Sequence, residues 1–239
     1  LTAGILGASL IIATAFGASA FKNPNQNQDV ITVTGLGSTD FTSDLIVWNA
    51  SFSKKDFNLK EAYRNLDNDR ERIRQYLEQK GIKSEDIVFS SVDINRDYRY
   101  VFDDNGNQRS QIFDGYSLRQ SVKIESKDVN KVEELSRSIS ELINQDIELY
   151  SESPQYYYTK LAELKIKMIA QATQDAKVRA EQIAENAGAN LGKLKKSDMG
   201  VFQIIGQNSS EDYSWGGSFN TADKNKTANI TVKLIYQVD

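Results

Sequence analysis

Five aspartates, Asp93, Asp97, Asp103, Asp104 and Asp114, crowd into one short stretch of the chain. Paired carboxylates on either side of a glycosidic bond can cleave it without a histidine, so hydrolytic chemistry is read here first. Nothing in the spacing puts two of them on one rigid wall, and the plainer reading is a solvated surface. Within the same stretch DDNGN, Asp103–Asn107, starts like a calcium loop. The bidentate glutamate that such a loop needs downstream is absent, so the segment is read as a hairpin turn. The chain has no histidine and no cysteine. That removes imidazole bases, thiol nucleophiles, disulfides and every metal site built on those ligands. No catalytic residue, cofactor or metal ion is expected.

Residues suited to binding are easier to find. Tyr156, Tyr157 and Tyr158 run in sequence, and Tyr98, Tyr100 and Tyr116 fall on strand ends or loops. A tyrosine offers a large apolar ring with one polar tip, which suits an interface; packing at a sheet edge explains the same residues. Trp215, in a Gly/Ser/Asn-rich segment, suits a partner contact if that loop holds still. Gly35-x-Gly37 follows a strand, but phosphate binding needs a helix at once after it. A second strand follows instead, so the pair is read as a backbone turn. The net charge of −4 argues against a nucleic-acid surface. The one basic run, Lys193, Lys195 and Lys196, is read as a solvated strand edge.

These residues need elements to hold them. Val30–Gly35 and Leu45–Ser53 read as strands. Asn58 is an N-cap with Glu61 at the capping-box position. The helix that follows has Leu59, Ala62, Tyr63, Leu66, Ile73 and Leu77 as its buried stripe, a charged outer face that includes Asp69, and Gly81 as its stop. Ile87–Ile94 and Tyr116–Ile124 alternate as half-buried strands do. Asp128 caps a second helix with Val129, Val132, Leu135, Ile139 and Leu142 inward. Ile147–Glu152 is a short strand, and a long helix runs from about Tyr158 to Ala187. Leu194–Ile205 and Ala228–Val238 close the chain, with Ile230, Val232, Leu234 and Tyr236 on one face. Gly206–Asn225 between them is a polar loop expected to be mobile. The order gives an α+β fold, antiparallel sheet packed against long helices.

The first 21 residues, Leu1–Phe21, carry no charge. As a helix they span about 31 Å, close to the hydrocarbon thickness of a bilayer. Two readings stand: a retained transmembrane anchor, and a signal peptide cut after Ala18-Ser19-Ala20. If the segment is retained, Gly4 with Ala8 and Ala13 with Gly17 are small-xxx-small pairs that permit close helix packing in lipid. The same residues are also simply common in signal segments. Residues 22–29 are a polar linker and 30–239 the folded domain.

The long helix has a further pattern. Ala172, Ala176, Ala180, Ala184 and Ala187 line one face, and the stretch Ala170–Ser197 reads A-x₃-A-K-x-R-A-x₃-A-x₂-A-G-x₂-L-G-K in its core. That stretch resembles the signature of the SIMPL-domain family, which includes periplasmic immunogenic and oxidative-stress-defence proteins of bacteria. ITVTGLGS at Ile31–Ser38 looks like the family's opening strand. FDGYSLRQSVKIESKDVNKVEEL at Phe113–Leu135 looks like its G-Y strand and the helix start that follows. Asn229–Val238 fits its closing strand. Many members carry Pro-Asp before the second strand, where this chain has Ser43-Asp44. The resemblance implies the family's α+β fold, an extracytoplasmic location in the bacterial envelope and self-association into homo-oligomers, ring- or channel-like assemblies among them. It implies no agreed activity. The leading expectation is therefore a non-enzymatic, membrane-tethered protein in the periplasm that assembles with itself; the alternative is a monomeric adaptor that binds another envelope protein through its loop.

Overall fold

Asn58 opens helix α1 (Leu59–Gln79) by accepting a hydrogen bond from the Lys60 N–H at 2.9 Å. Gly81, at φ +83°, sits just past its end in the left-handed conformation that a glycine adopts at least cost. Glu61 pairs with Arg64 rather than closing the expected capping box. The computed structural model describes residues 29–239 apart from 103, 105 and 211–213. The anchor reading of 1–21, with Gly4, Ala8, Ala13 and Gly17, lies outside the described residues, as does Asp103. Among the described residues no helix is long and apolar enough to cross a membrane.

The chain falls into two compact units, one of residues 29–38, 166–202 and 229–239 and one of 39–165 and 203–228. The second holds a sheet of β2 (Leu45–Asp56), β3 (Ile87–Phe89), β4 (Asp93–Phe102), β5 (Gln108–Ser126), β6 (Leu149–Ser151) and β7 (Gln155–Tyr157). Every pairing in this sheet is antiparallel. Helix α1 and helix α2 (Val129–Ser138) pack on β2 and β5. Trp48, Phe52, Leu66, Ile73, Leu77, Leu118 and Ile124 interdigitate as its core. Val129, Val132 and Leu135 are buried in α2 as the spacing predicts, Ile139 and Leu142 are buried in the 3-10 helix that follows (Ile139–Gln145), and Asp128 caps α2 through the Lys131 N–H. In α1 the stripe is shifted. Leu59 and Tyr63 are exposed, while Tyr76 and Asp69 are buried. Asp69 turns inward because Lys54 on β2 meets it at 2.8 Å, and a buried carboxylate needs such a partner.

Strand β11 (Asn225–Val238), most of it in the first unit, pairs with β1 (Val30–Thr42) and, antiparallel, with β8 (Leu191–Met199). Ile230, Val232, Leu234 and Tyr236 share the buried face, as their alternation requires. Helix α3 (Leu161–Asn186) buries Ala172, Ala176, Ala180 and Ala184, while Ala187 lies past its end, exposed. The turn read at Gly35-x-Gly37 is not one: both glycines lie inside β1. A methyl group on Gly35 would stand 2.1 Å from the Ala172 carbonyl oxygen, and one on Gly37 2.4 Å from that of Met168. The glycines exist for that approach of helix backbone to strand backbone. Asp175 then takes the Leu36 N–H at 2.8 Å and is held by Arg179, so its carboxyl titrates below the usual range.

Other boundaries move as well. The single strand read over 87–94 is two strands broken at Ser90–Val92, and β5 runs far beyond Tyr116–Ile124. The strand read over 194–205 breaks at Gly200, giving β8 and β9 (Gln203–Gly206). The loop after β9 contains a short strand, β10 (Ser218–Phe219), parallel to β9. Lys193, Lys195 and Lys196 are exposed on β8, which lies along β11.

Candidate interaction surface

Strand β2 covers β5 only from Tyr116 onward, and β3 only at Val122–Ile124. Among the described residues, 108–115 therefore have β4 as their one strand neighbour, and the two strands continue as a ribbon. The register slips at Asp114: Asp97 faces Gly115, and Tyr98 faces Phe113. Gly115 makes this bulge possible with φ +110°, and its Cα approaches so closely that a methyl there would lie 3.0 Å from the Asp56 carbonyl oxygen. An extra residue reverses the alternation. Phe113 and Tyr116, three apart, consequently come to one face with ring centroids 5.1 Å apart.

An aromatic cluster grows from that bulge. Phe113 sits edge-on to Tyr98 at 5.8 Å and to Phe57 at 6.3 Å, and the Arg96 guanidinium lies 5.9 Å from the Tyr116 ring. Tyr98, Tyr100 and Phe102 alternate along one face of β4. All three are exposed, Phe102 at 60%, as are Ile94 and Phe113, while Ile112, opposite Arg99, is exposed on the other face. Monomers rarely leave so many large apolar side chains adjacent and uncovered.

Beneath the ribbon, the bulge also turns Asp114 toward Lys55. The Lys55 ammonium bridges Asp114 at 2.6 Å and Asp97 at 3.1 Å. Two of the five sequence-flagged carboxylates are thus brought together, but with a cation between them. Lys55 holds Asp114 below the usual carboxylate range, and Asp114 and Asp97 raise Lys55. A glycosidic general acid needs the opposite shift. Asp93 and Asp104 are exposed and lie apart from this triad.

The tyrosine triplet separates. Tyr156 is 7% exposed and belongs to the core of its unit, so its ring offers little surface. Tyr157 is half-buried in β7 and donates to Gln155 Oε1. Tyr158 packs on Phe41 with centroids 4.8 Å apart. Trp215 is fully exposed. Next to Tyr156, Lys226 is buried, donates to the Tyr156 carbonyl oxygen at 2.5 Å, and is pushed down by burial to about 8.

Sequence reading noticed Tyr98, Tyr100 and Tyr116 but missed Phe57, Phe102, Ile112, Phe113 and Lys55. The signal lay in DINRDYRYVF, where even-numbered positions from 94 to 102 are apolar or aromatic apart from Arg96. Ending the strand at Ile94 cut that alternation in half.

A family model described as "SIMPL: Protein of unknown function (DUF541)" matches residues 31–233. No curated protein matches the chain.

Proposed function

We propose a role for this chain from one premise: it belongs to the SIMPL family, whose function is unknown. It acts as a non-enzymatic protein of the bacterial envelope, tethered through residues 1–21, whose folded domain assembles with copies of itself into a scaffold, ring- or channel-like in form. The observation that carries this reading is the uncovered aromatic face of the β4–β5 ribbon. Two strands alone are marginal in water, and large exposed rings favour a contact that covers them. The lysine between Asp97 and Asp114 supports the non-enzymatic part, because it holds both carboxylates in ion pairs. The uncharged run of 1–21 supports the tether.

Light scattering on the detergent-solubilised full chain, beside a version lacking residues 1–21, tests the reading. A discrete mass of several subunits in both versions is the expected result. Monomers in both would sink self-assembly. The second reading, an adaptor, is favoured by one observation, the full exposure of Trp215. It predicts a monomer that grows only when a partner protein is added, and loses that partner on Trp215→Ala.

A further inference from the structure

The ribbon has an open edge. Among the described residues β4 has no strand neighbour except β5, so a ten-residue strand, Asp93–Phe102, leaves its outer row of backbone donors and acceptors without a strand partner. Soluble proteins usually blunt such edges with prolines or lysines. This one has neither; its charges, Asp93, Arg96, Asp97 and Arg99, are of both signs, and it carries Ile94, Tyr98, Tyr100 and Phe102 in exposed positions. An edge of this kind is a template for an added strand, held by main-chain hydrogen bonds and specified by alternate side chains.

We infer that the added strand is β4 of a second copy, paired antiparallel about a two-fold axis at Tyr98; this rests on the self-assembly reading and adds to it an edge contact that leaves the aromatic face free for another. The argument is the self-complementarity of the sequence. A continuous sheet keeps faces together, so only registers that pair even positions with even and odd with odd are allowed. With the axis at Tyr98, Asp97 of each copy faces Arg99 of the other, twice over. Arg96 faces Tyr100, cation over ring, and Ile94 faces Phe102. Tyr98 meets itself. The neighbouring allowed registers fail: an axis at Asp97 sets carboxylate against carboxylate, and an axis at Arg99 sets guanidinium against guanidinium. Opposite like charges destabilise a strand pair. The charges therefore select one register among those the backbone permits.

Such a contact is isologous and closes on itself, which gives a dimer rather than a fibre. It would join the two aromatic faces into one continuous surface. Larger assemblies then need a second, different contact.

The natural absence of cysteine makes the test clean. The full chain carrying Tyr98→Cys, oxidised with copper–phenanthroline, is expected to run almost wholly as a disulfide-linked dimer. Arg96→Cys alone is expected to cross-link several-fold less, and an equal mixture of Arg96→Cys with Tyr100→Cys to reach about half the Tyr98→Cys yield, because only about half of randomly paired dimers are mixed. As a check that does not depend on cysteine reactivity, Arg99→Asp should shift light-scattering mass toward half, and Asp97→Arg combined with Arg99→Asp should restore it. If Tyr98→Cys does not cross-link while the wild-type chain is multimeric, the β4 pairing is wrong and self-assembly stands on another surface. If the wild type is a monomer, both readings fall.

Discussion

The two units lay helix on sheet by opposite means. In the first, α3 meets β1 through Gly35, Gly37 and a face of alanines, so main chain approaches main chain with almost no side chain between. In the second, α1 and α2 stand off β2 and β5 on a layer of Trp48, Phe52, Leu66, Ile73 and Leu118. The difference teaches where each layer is fragile. A large-residue core fails by losing atoms, because the cavity closes only in part. A glycine–alanine seam fails by gaining them, because the obstacle is backbone and cannot swing aside. The buried charged residues of the described chain, Asp69 and Lys226, both belong to the large-residue unit.

The largest expected effect tests the first mode of failure. Phe52→Ala should cost about 3–5 kcal/mol, seen as an earlier urea midpoint with the buried Trp48 fluorescence as probe. A loss below about 1 kcal/mol would mean the second core repacks freely.

Next comes a single added methyl. Gly35→Ala should destabilise the first unit by about 3 kcal/mol, the upper end of ordinary overpacking. Amide hydrogen exchange should accelerate across 166–186 while the amides of β2 and β5 keep their protection. Unchanged protection in the helix would show that the seam is looser than a 2.1 Å approach implies.

A smaller effect is expected at the Ser43-Asp44 departure from the family pattern. Asp44 accepts from both the N–H and the hydroxyl of Thr159 at 2.7 Å, which fixes the chain ahead of α3. Asp44→Ala should cost about 1 kcal/mol and raise protease sensitivity near Thr159. Ser43 uses its own N–H to bond the Lys224 carbonyl oxygen at 2.9 Å. A proline there would forgo this bond.

The remaining effects are pH-dependent and belong to the second unit. Lys226 falls from 10.5 when unfolded to about 8 when folded. Between those values the unfolded chain holds more protons, so this lysine makes stability rise with pH through that window. Urea midpoints at about pH 7.5 and about pH 9.5 should therefore increase, and Lys226→Met should flatten the increase. Glu133 has the reverse dependence. Lys224, donating at 2.9 Å, lowers its carboxyl below the ordinary 4.5. Its contribution is present above that value and lost as pH falls through the lower folded one. Lys224→Ala should make acid unfolding shallower; an unchanged profile would remove Glu133 from the account.

Much of this was legible in the residues. Caps at Asn58 and Asp128, the Gly81 stop, the α2 stripe and the buried face of β11 follow from periodicity and local hydrogen bonding. These need only neighbours within one or two turns, which the sequence states outright. The alanine face of α3 was legible too, but its counterpart at Gly35 and Gly37 read as a turn. The clash that demands those glycines comes from a helix more than 130 residues away along the chain.

The candidate surface was only half legible. Its tyrosines stood out, whereas Phe113 joined them through a bulge that reverses alternation at one residue. Lys55 was drawn between Asp97 and Asp114 by that same bulge. Tyr156 shows the converse, since a run of three tyrosines says nothing of which ring faces the core. By itself the sequence determined the element types, the family and the absence of histidine and thiol chemistry, because these depend on residue type and short-range spacing. The tertiary structure alone decided which glycines touch a helix, which carboxylates share a lysine and which strand edge stays open, because each is set by partners far apart in the chain.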